Sequence, residues 1–179
     1  MEKIRLGISS CLLGEKVRYD GGDKLDHCLR DTIGKSVEWV SVCPEVESGL
    51  PVPREEMRLE ESPEGPRLVT AHSCVDHTDM VRKWAGEKLI DLAAKGLCGF
   101  VFKSRSPSCG VRGVKIFAVS GIPVRSGSGI FAAAFMAKFP LVPVEEEGRL
   151  RDPSLRMSFM NRVLAFIRRR DSIRKRGST

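Results

Sequence analysis

Three cysteines in this sequence share a local pattern that suits metal binding or nucleophilic chemistry. Each follows an apolar segment and stands near glycine or proline, as in ISSCLLG around Cys11, VSVCPEV around Cys43 and SPSCGV around Cys109. They are separated by 32 and 66 positions, which matches no zinc-ribbon spacing. Three separate loops would therefore supply the thiols, and the neighbouring glycine or proline would let each loop bend around a bulky group.

The apolar periodicity predicts which elements position these cysteines. Strands are predicted at residues 4–8, 37–42, 97–102 and 141–143, with a hairpin or extended pair at 116–124. Helices are predicted at 25–33, from 78 to a C-cap at Gly96, at 130–138 and from an N-cap at 152 onward. The polar, proline-rich stretch between 44 and 66 is too long for a simple connection and is predicted to be functional.

This alternation of strands and helices predicts one α/β domain with a Rossmann- or flavodoxin-like, mostly parallel sheet flanked by helices. Ligands of such sheets bind beyond the carboxyl ends of the strands. Cys11 follows the first predicted strand, Cys43 the second, and Cys109 the strand that ends at residue 102. We expect the three thiols to meet in one site at that edge.

Several kinds of chemistry fit three such thiols. The thiols could belong to chance loop or packing cysteines without a chemical role. They could also form a zinc site, include a nucleophilic or persulfide-carrying cysteine, or bind an iron–sulfur cluster. Structural zinc is normally bound by four protein ligands, so three thiolates would leave a zinc site open. A cluster held by three cysteines leaves one iron free for substrate, which describes a Lewis-acid site rather than an electron relay.

The other three cysteines do not follow the strand-end pattern. Cys28 falls on an apolar helix face and Cys98 inside a strand, so both are predicted to be small core residues. Cys74 lies between His72 and His77 in a stretch that a helix N-cap also explains. We do not expect a second metal site there.

Two kinds of polar residue accompany the strand-end cysteines. Glu45 follows Cys43 by two positions, where an apolar pocket would adjust its proton affinity for acid–base catalysis, and Glu47 is the alternative. Ser106 and Ser108 flank a proline before Cys109. We assign Ser106 to catalysis and Ser108 to substrate binding, with a turn hydrogen bond as the other interpretation of Ser108.

Further candidates lie in two loops. Ser10, directly before Cys11, is assigned to substrate binding. Asp20 in RYDGGDK suits a substrate contact or a plain turn about equally. Arg54 in GLPVPRE would bind an anionic or carbonyl oxygen, although a surface ion pair is the more common fate of such an arginine.

Charge is concentrated at the C-terminal end of the chain. The 179 residues carry a formal net charge of +7, yet residues 162–179 alone hold seven basic side chains against one acid. The remainder is nearly neutral, so we expect an α/β domain over 1–168 and a solvated basic tail over 169–179 rather than a nucleic-acid-binding face. No stretch reaches the roughly 18 apolar residues of a membrane span, and charges interrupt the N-terminus, so we expect a cytoplasmic protein with no membrane partner.

Taken together, the motifs resemble the thiouracil desulfurase family, small iron–sulfur proteins formerly classed as a domain of unknown function. The resemblance covers nearly the whole chain and is carried in order by SSCLLG with RYDGG, CPEVESGLPVPRE, SPSCG, and GIFAAAF with RMSFMNRV. The CPE-x-x-x-GL-P-x-PR stretch is the most specific of these motifs. The resemblance to this family implies that the protein is an enzyme.

The resemblance implies a 4Fe–4S cluster held by three cysteines, which match Cys11, Cys43 and Cys109 here. It also matches Glu45 to the carboxylate beside the second ligand and Ser106 to the serine before the last ligand's proline. The implied reaction removes sulfur from a thiolated pyrimidine such as 2-thiouracil without net redox change. The alternative is a metal- or cluster-bearing sensor whose basic tail contacts nucleic acid, and the sequence does not specify the oligomeric state.

Overall fold

The structure is a computed structural model that describes residues 3–176. Its strands are β1 (Ile4–Ser9), β2 (Val37–Val42), β3 (Met57–Glu60), β4 (Arg67–Thr70), β5 (Phe100–Phe102), β6 (Val114–Phe117), β7 (Pro123–Gly127) and β8 (Val144–Glu146). Its α-helices are α1 (His27–Asp31), α2 (Pro44–Glu47), α3 (Thr78–Ala94), α4 (Ile130–Lys138) and α5 (Pro153–Arg176).

The larger structural unit is a parallel sheet in the order β2-β1-β5-β8. Its two central strands, β1 and β5, bury side chains on both faces of the sheet, because alternate side chains point to opposite sides. Leu6 and Ile8 pack with α1 and α5 on one side, while Phe100 and Phe102 pack with α3 and α4 on the other. The predicted α/β fold with a mostly parallel sheet flanked by helices is therefore confirmed.

Close packing of β1 against β5 depends on a glycine. A Cβ atom at Gly7 would overlap the ring of Phe100, which lies directly over this position. Phe100 stacks on Phe102 with ring centroids 4.0 Å apart, and both rings meet Phe131 and Phe135 of α4. This aromatic cluster fixes the end of β5, from which one of the cysteine loops departs.

A second, smaller sheet in the order β4-β3-β6-β7 was not predicted in full. Its central pair β3 and β6 is parallel, and both outer pairs are antiparallel. The hairpin predicted at 116–124 corresponds to β6 and β7. The proline-rich stretch, however, contains α2 and β3. Leu59 and Ile116 of this sheet pack with Val81 of α3 in a small hydrophobic core.

Other element predictions hold with local differences. The helices at α3, α4 and α5 are confirmed, and Gly96 takes the left-handed φ of 65° expected just after α3. The last strand of the parallel sheet was predicted at 141–143. This position is wrong, because pairing with β5 begins at Val144. The helix predicted at 25–33 is shorter: α1 starts after an N-cap at Asp26, whose carboxylate accepts a 3.0 Å hydrogen bond from Leu29 N–H.

The basic C-terminal segment continues α5 without a break at residue 169. Arg170 is still in contact with the domain, since its Nη1 donates to the Gly96 carbonyl over 3.0 Å. From Asp171 to Ile173 the helix is exposed. Among the described residues, no helix has both the length and the apolar character needed to cross a membrane.

Strand order determines where a ligand binds. The chain goes from β1 outward to β2 and then returns past β1 to β5, so the direction of the connections reverses beside β1. Such a reversal leaves a crevice beyond the carboxyl ends of the flanking strands.

Candidate metal centre

A cavity of about 270 Å³ lies in this crevice, and Cys11, Cys43 and Cys109 all line it. Cys11 lies in a 3-10 turn directly after β1, and the turn ends at Gly14 with a left-handed φ of 89°. Cys43 is the N-cap residue of α2, and Cys109 belongs to the loop that follows β5. The expectation that three strand ends bring these thiols to one place is met by this geometry.

Burial dominates the electrostatics of the three thiols. It raises the pKa of Cys11 to about 11, against the opposing charge of Lys103. The pKa values of Cys43 and Cys109 are also raised by burial, well above the ordinary value for Cys109, whose thiolate is stabilised by a hydrogen bond from Ser9. Negative charge on Cys43 further raises the pKa of both other thiols, so the three are electrostatically coupled.

Glu45 reaches the same cavity, but its surroundings are polar rather than apolar as predicted. Arg54 donates to its Oε2 from Nε over 2.8 Å and also from Nη2, and Ser108 donates to its Oε1 over 2.8 Å. The side chains of Arg54 and Glu45 are only 6% and 14% exposed. The expectation that Arg54 forms a surface pair is therefore wrong.

Glu47 has a separate, structural set of contacts. Its Oε1 accepts from the Cys43 N–H over 2.9 Å, and its Oε2 pairs with Lys88 of α3 over 2.7 Å. These bonds attach the start of α2 to α3. Glu47 is absent from the cavity wall, so of the two carboxylates predicted after Cys43 only Glu45 lines the cavity, where Glu56 is the other acidic residue.

Of the two serines before Cys109, Ser106 forms the turn contact that was considered for Ser108. The Ser106 hydroxyl accepts from the N–H groups of Ser108 and Cys109 over 3.2 and 3.0 Å, which is a turn contact. Ser108 is fully buried and binds Glu45 instead of forming the turn. Ser106 lines the cavity and Ser108 does not, so the assignment of Ser108 to substrate binding is not supported.

Comparison with known proteins identifies the family. The family model for 2-thiouracil desulfurase matches residues 6–147. The chain belongs to the 2-thiouracil desulfurase family. The family expected from the motifs is confirmed, and with it the expectation of an enzyme.

A solved structure is similar to this chain over most of its length. It is the 4Fe–4S-dependent thiouracil desulfidase TudS, which is 32% identical to this chain, with a TM-score of 0.65. The match covers 88% of this chain and 99% of that one. No curated protein matches this chain closely enough to be counted as a relative.

The remaining predicted site residues of this desulfurase-family chain are divided between the cavity and the surface. Ser10 is buried and lines the cavity. Asp20 is exposed and outside it; its Oδ1 accepts from Gly22 N–H over 3.0 Å and lies 3.5 Å from Nε of Arg18. Of the two interpretations of Asp20, the plain turn fits this position.

The other cysteines lie away from the cavity. Cys28 and Cys98 each accept a hydrogen bond from an α5 arginine, Arg156 over 3.2 Å and Arg170 over 3.4 Å. Cys74 is exposed in a turn, with a left-handed φ of 55°.

Sequence reasoning missed two residues beside the thiols. Ser9 accepts from Lys103 N–H over 2.9 Å, and its side chain is hydrogen-bonded to Cys109, so it connects the end of β1 with the chain after β5. Lys103 places a positive charge near Cys11. The serine pair before Cys11 and the lysine at the end of an apolar strand were the available signals, since charged and hydroxyl groups at strand ends belong to the predicted binding edge.

The donor set fits an iron–sulfur cluster better than a single ion. Within residues 3–176, no group of three or more His, Cys, Asp or Glu side chains surrounds a point where one metal ion would bind. Cluster ligands need not meet at one point, because each thiolate binds a different iron atom. Three thiols around one cavity meet that requirement.

Proposed function

We propose that this chain hydrolyses the C–S bond of a thiolated pyrimidine such as 2-thiouracil, giving uracil and sulfide without net redox change. The oxygen of water replaces the thiocarbonyl sulfur on the ring carbon, and the sulfur leaves as hydrogen sulfide with the two protons of that water. No electrons are gained or lost. One observation carries the proposal: the three strand-end thiols and the carboxylate of Glu45 line one cavity.

Cys11, Cys43 and Cys109 would hold a 4Fe–4S cluster in this site. When bound, the cluster supplies an iron atom without a protein ligand, a Lewis acid suited to a soft thiocarbonyl sulfur. The TudS match supports this cofactor, because that protein is 4Fe–4S-dependent.

Glu45 is the proposed proton-transfer group. Its carboxylate accepts a proton from the water that attacks the ring carbon and returns it to the departing sulfur. Arg54 and Ser108 hold the carboxylate in one orientation through its two oxygens. A carboxylate fixed in this way needs little reorganisation to reach the attacking water.

Ser106 and the cavity wall are proposed to orient the base. The Ser106 oxygen accepts two backbone N–H bonds, which leaves its own proton available for a substrate oxygen or sulfur. Tyr19 and Met57 add apolar surface to the same wall, suited to the flat ring of a pyrimidine.

The test is turnover by anaerobically reconstituted protein. With 2-thiouracil in ¹⁸O-enriched water, we expect sulfide and uracil in equal amounts, with one ¹⁸O atom in each uracil. Sulfide without ¹⁸O-labelled uracil would exclude hydrolysis. A protein that binds the cluster and the thiolated base but releases no sulfide would favour the sensor alternative.

A further inference from the structure

Three consecutive carboxylates lie at the end of β8, two in the strand and one directly after it. Glu145, Glu146 and Glu147 are only 5%, 7% and 6% exposed. Burying a carboxylate is costly unless hydrogen bonds or opposite charges compensate. Each of the three has different compensating partners, and two of them bind the backbone of the segment of residues 103–112, here called the Cys109 segment.

Glu147 binds the beginning of the Cys109 segment. Its Oε2 accepts from Ser104 N–H over 2.7 Å, and its Oε1 accepts from Ser104 Oγ over 2.8 Å and from Lys103 Nζ over 2.6 Å. The Lys103 ammonium also donates to the carbonyl and hydroxyl of Ser104. With three acceptors for its three N–H bonds, Lys103 is held in place.

Glu146 binds the end of the same segment. Its Oε1 accepts from Val111 N–H over 2.8 Å and from Arg112 N–H over 3.2 Å. Glu145 differs from both, because its carboxylate pairs with Arg112, Arg149 and Arg162, whose side chains are about half exposed. Only Glu146 and Glu147 bind the backbone of the Cys109 segment.

We infer that Glu146 and Glu147 are positioning residues that hold the two ends of the Cys109 segment and so set Cys109 and Ser106 in the geometry that receives the cluster. The inference rests on the proposed function for the identity of the cluster. The contacts that carry it are independent of substrate. Groups that orient metal ligands without touching the metal typically change metal affinity about 10- to 100-fold when they are removed.

The two carboxylates respond differently to the same substitution. Glu146 uses a single oxygen for both bonds, so the amide oxygen of Glu146→Gln retains both. Glu147 uses both oxygens as acceptors. In Glu147→Gln the amide NH₂ therefore faces an N–H donor, either the Ser104 backbone or Lys103.

The experiment compares iron retention and visible absorption of reconstituted proteins under chelator challenge, with no substrate present. We expect about 10- to 100-fold faster iron loss for Glu146→Ala and Glu147→Gln, and wild-type retention for Glu146→Gln. Glu38→Gln is the matched control, because it alters a half-exposed ion pair of β2 with Arg5. Wild-type retention in Glu147→Gln, or equal losses in Glu146→Gln and Glu146→Ala, would overturn the inference.

A second measurement does not depend on the cluster. Amide hydrogen exchange of the Cys109 segment in the cluster-free chain should rise in Glu146→Ala and Glu147→Gln, and stay at the wild-type rate in Glu146→Gln. Unchanged exchange in all three variants would refute the positioning role, even if the wild-type chain took up no cluster. A wild-type chain that retains the cluster but does not desulfurate would instead count against the proposed function alone.

Discussion

Arg54 and Glu45 form a buried pair that connects all three cysteine loops. The Arg54 guanidinium holds Glu45, two residues after Cys43, and its Nη2 also donates to the Val17 carbonyl over 2.9 Å. Val17 belongs to the loop after Cys11, and Ser108 brings the Cys109 loop to the same carboxylate. A substitution at this pair can therefore shift all three proposed ligands. Turnover and cluster binding must be measured separately.

The substitution Glu45→Gln separates an effect on turnover from an effect on cluster binding. The amide cannot accept a proton at neutral pH, so we expect turnover to fall about 10²- to 10⁴-fold, the usual range for general acid–base assistance. The cluster should stay bound, because the Ser108 hydroxyl can accept from the new NH₂ group while the amide oxygen still faces Arg54. Iron content and rate are measured on one preparation. Full iron with a near-normal rate would remove Glu45 from the mechanism.

The cysteines divide into two groups of three. Cys11→Ser, Cys43→Ser and Cys109→Ser should each lose most of the iron, since each removes a thiolate from the cavity. The matched controls are Cys28→Ser, Cys74→Ser and Cys98→Ser, which lie outside it and should retain iron. Iron and acid-labile sulfide per chain are the measurements. Loss of the cluster in a control, together with retention in Cys11→Ser, would contradict the assignment.

The cluster-free chain should lose stability at high pH. Burial raises the pKa of Cys11 from 9.0 to about 11, so the unfolded chain deprotonates first as pH rises. This contribution to stability is complete below pH 9, falls by about 1.4 kcal/mol at pH 10, and disappears through the folded pKa. Urea unfolding at pH 7.5 and pH 10 under reducing conditions checks it. In Cys11→Ser the drop should be smaller; an equal drop would argue against this source.

Removing residues 171–179 should leave desulfuration of a free base nearly unchanged. The described part of this segment between Asp171 and Ile173 is exposed, and the truncated chain keeps Arg170 with its bond to Gly96. Arg170→Ala is the contrasting variant, expected to cost about 1–3 kcal/mol of stability through the loss of its partly buried hydrogen bonds to Gly96 and Cys98. A large fall in the rate of the truncated chain on 2-thiouracil would contradict this, whereas a fall only on a thiolated nucleic acid would support a nucleic-acid contact.

The parallel sheet and the convergence of three cysteines could be predicted because both follow from local patterns. The apolar run at residues 97–102 is typical of a strand buried on both faces. Parallel strands then bring their carboxyl ends to one edge, whatever the distance in sequence between Cys11 and Cys109. Residue type left several kinds of thiol chemistry open, and the resemblance to the family indicated the iron–sulfur cluster.

Pairings that depend on tertiary structure could not be predicted. β3 reads Met-Arg-Leu-Glu, and β8 places two carboxylates in a buried strand, so neither resembles an apolar run. Arg54 looked like a surface arginine because nothing local shows that Glu45, Ser108 and the Val17 carbonyl surround it. The turn contact considered for Ser108 is made by Ser106 instead, and the sequence could not show this, since two serines beside one proline differ only in what the fold places opposite each.

The position of Glu146 and Glu147 in the chain has a consequence for biosynthesis. A growing polypeptide contains all three cysteines once residue 109 has been made, but the carboxylates that bind the segment around Cys109 are translated almost forty positions later. Until β8 pairs with β5, Val111 and Arg112 lack the acceptor that holds them. From the positioning role inferred for these carboxylates, we expect the cofactor to be inserted only after the sheet has closed, and a ribosome-bound fragment with all three thiols to be a poor acceptor.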